Sequence, residues 1–280
     1  FFRLLRPLNC LMMGFAVLIG ELITLRGGFL VFPSIFGFLT AFTLTGSSMV
    51  VNDFFDRFVD AVNQPNRPIP SGLVGQKEAL LFAGLLGFCG LFSAFLTSWY
   101  VSSFYVLVVA LFSFLLSLYY NAKGKEYGFL GNLMVSACVA IPFIYGAFIV
   151  GETPQPLLLT FTSMAFLANT GREIIKGIAD IEGDKLRNVQ TLALKLNPKK
   201  AAYVAAVFYN MAVGLSILPI MFHEVSLWYL PFVMVACLGF VFTSFLVIKN
   251  PVPKNAEIMR KFSLVWMGFG LLAFMFGGIL

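Results

Sequence analysis

The sequence predicts an all-α polytopic membrane protein, a bundle of nine transmembrane helices with an active-site cavity at the cytoplasmic face. Three observations carry that reading. Hydrophobic residues fill 59% of the 280 positions and charged residues only 11%, whereas a soluble domain carries about 25% charge. Nine apolar runs approach the roughly 20 residues that a crossing needs. Lys and Arg gather on one side of those runs. A water-soluble enzyme, a disordered chain and a coiled coil are excluded together.

The runs cover residues 8–25, 33–51, 78–97, 100–119, 128–150, 156–175, 201–221, 226–248 and 262–280. Helices are required, because lipid cannot satisfy exposed backbone groups and the runs are too long for barrel strands. The third and fourth runs almost touch, which predicts a tight turn at Ser98-Trp99. Every Lys and Arg except Arg26 falls on the side that holds the N-terminus. That side is cytoplasmic by the positive-inside rule. All of the 13 acids except Glu21, Glu152 and Glu224 lie there too, although the rule makes no demand on acids. The first run is too long for a signal-peptide core and lacks a cleavage site, so it reads as a crossing. The chain opens Phe-Phe-Arg rather than with Met, so further N-terminal residues are expected. Cys10, Cys89, Cys138 and Cys237 form no CxxC and read as packing residues. Glu21, inside the first run, is a costly charge that is either functional or snorkels to the surface. The whole chain, 1–280, reads as one domain.

Two acidic clusters stand at the cytoplasmic face. In the first, Asp53, Asp56 and Asp60 are spaced i, i+3 and i+7, one stripe of a helix leaving the second run. Three like charges there repel unless cations bind between them. Hard divalent ions such as Mg2+ take carboxylate and phosphate oxygens. In the second, Asp180 and Asp184 are i, i+4 partners if the sixth run continues as helix. The two clusters are then expected to face one cavity. Basic residues nearby, Arg67, Lys123, Arg172, Lys176 and Lys185, supply charge-assisted bonds for phosphate. The segment from Asn63 to Gly72 holds Pro65, Pro68 and Pro70, a stiff link that fixes Asn63 and Arg67 over the cavity. Metal-binding carboxylates beside phosphate-binding cations form a set suited to a diphosphate.

These residues resemble a known family. Asn52-Asp-x-x-Asp56-x-x-x-Asp60 followed by Asn-x-Pro-x-Arg67-Pro-Ile-Pro-Ser-Gly is similar to the first signature of the UbiA superfamily of intramembrane prenyltransferases. Asp180-x-x-x-Asp184, with Lys185 and Thr191 behind it, is similar to the second. Tyr119-x-x-x-Lys123 and Leu5-Arg6-Pro7-x-Asn9 also resemble family features. The resemblance implies Mg2+-dependent transfer of an isoprenyl group from an allylic diphosphate. It implies that Asp53, Asp56, Asp180 and Asp184 hold the metal, and that Asn52 and Asp60 join or support them. It further implies that Arg67, Lys123 and Lys185 contact the diphosphate beside Tyr119, with Asn9 near the pocket. The segment 3–14 and Arg172-Glu173-Ile174-Ile175-Lys176 look most like an archaeal branch that prenylates geranylgeranylglyceryl phosphate in ether-lipid synthesis. Members of that branch often carry an acid after the lysine, where this chain has Gly177. Arg6, Arg172 and Lys176 are the cations left for the acceptor's phosphate.

The implied partners are a prenyl diphosphate donor, a lipid or aromatic acceptor and the bilayer, and not nucleic acid. An aromatic quinone precursor is the alternative acceptor. A cation-coupled transporter is the rival of another class, but transporters place such carboxylates near the bilayer midplane. A phospholipid-type alcohol transferase fits the prolyl segment less well. The charge distribution makes one prediction about topology. In a cysteine-free background, single cysteines at Gln64 and Gln190 should react with an impermeant thiol reagent only from the cytoplasmic side. Labelling of either from the opposite side refutes the nine-span arrangement.

Overall fold

A computed structural model describes residues 1–186 and 189–279, with positions 59, 62, 63 and 186 described by backbone alone. Arg187, counted above on the basic face, and Leu280, the end of the ninth run, lie outside the described residues, as does the Asn63 side chain. Helices form in the order α1 (Phe2–Leu5), α2 (Pro7–Thr24), α3 (Val31–Asn63), α4 (Gln76–Val101) and α5 (Phe104–Ala122). A 3₁₀ turn at Gly124–Tyr127 leads into α6 (Phe129–Phe148), α7 (Pro156–Ala179), α8 (Ile181–Leu186) and α9 (Leu192–Leu196). The chain closes with α10 (Pro198–Leu215), α11 (Leu218–Met221), α12 (Tyr229–Lys249) and α13 (Pro253–Gly277). No strand occurs among the described residues.

Eight segments among the described residues are long and apolar enough to cross a membrane. They account for every expected run but the sixth. That run forms the 24-residue α7, long enough but too polar by composition, because its last three turns carry Asn169, Thr170, Arg172, Glu173 and Lys176. Most of α7 is buried, from Leu158 to Ile178, so neighbouring helices rather than apolar side chains shield it. A second difference concerns the turn between α4 and α5. It falls at Ser102-Ser103, not at Ser98-Trp99. Ser102 takes the left-handed conformation (φ 52°), and the Ser98 hydroxyl donates to the Ser103 carbonyl at 2.9 Å, so one more turn of helix forms first.

The chain divides into two compact units. The first comprises Phe1–Glu21, Gly28–Lys123 and Ile141–Thr153. Here α4 is patterned inside out. Ala79, Ala83, Gly87, Gly90, Ala94 and Thr97, at helical spacing, are buried, while Leu81, Leu85, Phe88, Phe92, Phe95 and Trp99 are exposed. Lipid tails are as apolar as leucine, so only close packing draws spans together, and small residues permit it. The Ser47 hydroxyl donates to the Ala83 carbonyl and that of Ser93 to the Phe36 carbonyl, at 2.8 and 2.7 Å, sealing α3 to α4. Glu21 does not snorkel. Fully buried, it accepts from the Leu30 amide and the Ser34 hydroxyl at 2.8 Å, and so caps the first turn of α3.

The second unit comprises Leu22–Gly27, Gly124–Ala140 and Pro154–Leu280. Its core packs α7 and α10 through Ile174, Ile175, Ile178, Ala201, Ala205 and Tyr209. Polar links lock the register. Tyr209 and Ser263 share a hydrogen bond of 2.7 Å, and the Trp266 indole donates to the Thr243 hydroxyl at 3.0 Å. Asn169 on α7 donates to Ser136 on α6 at 3.2 Å.

In the first unit the backbones of α2 and α6 meet at Gly20 and Gly146. A Cβ on Gly146 would lie 2.3 Å from the Val17 oxygen and 2.6 Å from the Glu21 nitrogen. Neither backbone can yield without separating the helices. Gly146→Ala should therefore cost about 1–3 kcal/mol, the usual range for overpacking, seen as a lower Tm of the detergent-solubilised protein. An unchanged Tm would show that the two helices are not in contact.

Candidate active site

The first acidic cluster lies on the last three turns of α3, as the spacing requires. The structure also shows what relieves its repulsion. Asp53 and Asp60, each 3% exposed, are bound by arginines from two other segments. Arg67 Nη1 lies 2.5 Å from Asp60 Oδ2 and 3.4 Å from Asp53 Oδ1, and Arg6 Nη2 contacts the same Asp53 oxygen. Burial raises the Asp60 carboxyl above its ordinary value, and the Arg67 charge opposes that shift without cancelling it. Asp56 accepts from the Asn52 amide at 3.1 Å. Arg57, inside the motif, turns to its own helix. Its guanidinium lies 4.3 Å from the ring centres of Phe54 and Phe58 and donates to the Phe54 carbonyl.

Local packing delivers each arginine. Leu4 on α1 is fully buried among Val50, Val51, Ile69, Val74, Ala79 and Ala83. Arg6 follows in the left-handed conformation (φ 49°), and Pro7 then opens α2. Asn9, one turn on, donates weakly to the Met49 sulfur at 3.7 Å. The prolyl link is closed by its own backbone bonds, Ser71 to Arg67 at 2.9 Å and Val74 to Pro68 at 3.0 Å, and Gly72 supplies the positive φ its turn needs (75°). Gln64 accepts from Arg67 Nε at 2.8 Å. Arg6, expected on the acceptor's phosphate, thus belongs to the aspartate cluster.

Tyr119 and Lys123 end α5, and the Lys123 amide donates to the Tyr119 carbonyl at 2.9 Å. Between them stands buried Asn121, which donates to the carbonyl and hydroxyl of Ser48 at 3.1 Å. This pins the end of α5 to α3 one turn before Asn52. The sequence reading missed Asn121, and only its polarity at the edge of an apolar run could have signalled it.

In the second unit, α7 stops before the acidic pair. Asp180 caps it (φ −95°, ψ 14°), and a separate short helix, α8, carries Asp184 and Lys185. The expected i, i+4 relation survives as a backbone bond, Asp184 amide to Asp180 carbonyl at 2.9 Å. Lys185 is exposed. Arg260, from α13, lies 3.9 Å from Asp180 and also binds Glu257; the sequence reading gave it no role. Glu173 is buried and accepts from Arg172 at 2.8 Å and Lys176 at 3.3 Å, so it orients both cations. At Gly177 an added Cβ would make only ordinary contact with Thr191, at 3.5 Å.

Among the described residues no group of three or more His, Cys, Asp or Glu is arranged to hold a metal ion. Mg2+ needs none, since it binds through one or two carboxylates and takes the rest from phosphate and water. The donors of α3, Asn52, Asp53 and Asp56, are hard oxygens within about one turn of helix and fit that ion.

Comparison with known proteins places this arrangement in a family. Residues 13–273 match the UbiA prenyltransferase family, and the chain belongs to it. The digeranylgeranylglyceryl phosphate synthase of Methanosarcina barkeri is 36% identical over 289 residues, covering 99% of this chain and 97% of that protein. That of Thermococcus sibiricus is 32% identical, covering 100% and 97%. A solved structure of a digeranylgeranylglyceryl phosphate synthase in membranes superposes with a TM-score of 0.82 at 30% identity, covering 99% of this chain and 97% of that one.

The two arginines should differ in what their loss does. Arg67→Ala leaves two buried carboxylates short of a partner, whereas Arg6→Ala leaves Asp53 with Arg67. Removing one partner of a buried pair costs about 3–5 kcal/mol, and partial exposure of Arg67 lowers this to roughly 2–4 kcal/mol. Arg67→Ala should therefore lower Tm clearly more than Arg6→Ala. Equal Tm values would contradict the pairing.

Proposed function

We propose that this UbiA prenyltransferase transfers a geranylgeranyl group from its diphosphate to geranylgeranylglyceryl phosphate, in the presence of Mg2+, in ether-lipid synthesis. The observation that carries the proposal is likeness over the full chain to archaeal digeranylgeranylglyceryl phosphate synthases. The whole chain acts as one catalytic domain. It crosses the membrane nine times, with α7 as the polar crossing, and its active site lies at the cytoplasmic face, where the basic residues gather.

Asp53, Asp56, Asp180 and Asp184 hold Mg2+, and Asn52 and Asp60 complete or support that set. Bound Mg2+ supplies charge neutralisation for the departing diphosphate. Arg67, Lys123 and Lys185 bind the diphosphate oxygens and stabilise the charge that grows on them as the C–O bond breaks, with Tyr119 alongside. Asn9 and Asn63 flank the donor. The apolar helices keep water from the allylic cation, and aromatic faces stabilise it. Arg172 and Lys176 bind the acceptor's phosphate, a group that an aromatic acceptor lacks. Glu173, bonded to both, fixes their positions.

The test is turnover of labelled geranylgeranyl diphosphate by purified protein with geranylgeranylglyceryl phosphate, where the product retains its phosphate. Asp56→Ala and Asp184→Ala should each lower kcat by about a hundredfold or more, and EDTA should abolish turnover. Arg172→Ala and Lys176→Ala should raise the acceptor KM about tenfold with little change in donor KM, as expected for lost charge-assisted bonds. Full turnover in EDTA overturns the metal assignment. Preference for a phosphate-free aromatic acceptor overturns the ether-lipid assignment while leaving prenyl transfer standing.

A further inference from the structure

A carboxylate that is to hold a metal must have its oxygens to give, and Asp53 already gives one away. Two guanidiniums converge on its Oδ1. They are not held alike. Arg67 is fastened by Asp60 and by Gln64 as well, and it stands on a link anchored by buried Ile69 and Val74. The Arg6 side chain, among the described residues, bonds to Asp53 alone. It is also the more exposed, 32% against 23%, and it sits at the junction of two helices. If one arginine must release Asp53, it is Arg6.

We propose that Arg6 is an internal counterion, occupying Asp53 until metal and donor diphosphate arrive together and then passing to the diphosphate. The proposal rests on the Mg2+-dependent prenyl transfer argued above. Charge sets the order of events. Asp53 and Asp60 are already met by Arg6 and Arg67. A divalent ion alone would add positive charge there and set a displaced guanidinium beside the metal. The diphosphate supplies the anion that metal and Arg6 can both contact, so each favours the binding of the other. Such positive coupling is reciprocal by thermodynamic necessity. It also keeps the buried carboxylate paired when substrate is absent, which avoids the cost of an isolated charge.

The experiment measures Mn2+ binding to the purified full chain by electron paramagnetic resonance, with and without inorganic diphosphate, corrected for the complex these form in solution. The wild-type protein should bind Mn2+ weakly alone and at least about tenfold more tightly with diphosphate, within the usual range of coupling. Arg6→Gln should tighten binding of Mn2+ alone and shrink the gain from diphosphate. Arg6→Lys, which keeps the charge and loses the fork, should move both quantities the same way by less. In an Asp53→Asn background, Arg6→Gln should have no further effect on the binding of Mn2+ alone. Unchanged or weaker binding of Mn2+ alone in Arg6→Gln and Arg6→Lys overturns the counterion while leaving metal-dependent transfer intact. No Mn2+ uptake even with diphosphate overturns both.

Discussion

Everything at the C-terminal end of α3 depends on one electrostatic constraint. Two carboxylates two turns apart are buried at the mouth of a span, and each must meet a positive charge. Arg67 meets both, and Arg6 meets one of them. To bring Arg67 there the chain needs a link that folds back on α3, hence the prolines and the buried Ile69 and Val74. To bring Arg6 there it needs a short helix ahead of the first span, hence Leu4 in the core and a left-handed residue at the junction. The apolar cluster around Leu4 is thus part of the site's electrostatics, because it aims the cations.

The second unit solves a related problem in the opposite sense. There one buried carboxylate, Glu173, is met by two cations, Arg172 and Lys176, where on α3 two buried carboxylates share Arg67.

Periodicity made much of this legible and could not reach the rest. The i, i+3, i+7 spacing of Asp53, Asp56 and Asp60 put them on one helix, and α3 does run through all three. The composition of the runs gave the spans, apart from α7. That helix escapes a test of apolarity because tertiary packing, not its own sequence, keeps it from lipid. The stop at Asp180 is equally hidden, since Asp180 and Asp184 read as helical partners and keep their backbone bond across the break. The contacts of Arg6 with Asp53 and of Asn121 with Ser48 join residues 47 and 73 positions apart. Nothing local encodes such pairs. The sequence assigned Arg6 to the acceptor's phosphate and carried no sign of its bond to Asp53.

The outward row on α4 sets a length. From Leu81 to Trp99 it climbs about 27 Å at the helical rise of 1.5 Å per residue, close to the ~30 Å of a typical hydrocarbon core. Trp99 and Tyr100 close the row at its far end, and such rings settle at membrane interfaces. A bilayer of different thickness would have to be met by tilting α4 or by deforming around it. Because the small inner face of α4 is sealed to α3, a tilt would carry the neighbouring helix with it, and with that helix the aspartates at its end. The thickness of the host membrane is thereby coupled to the geometry of the aspartate-bearing end of α3.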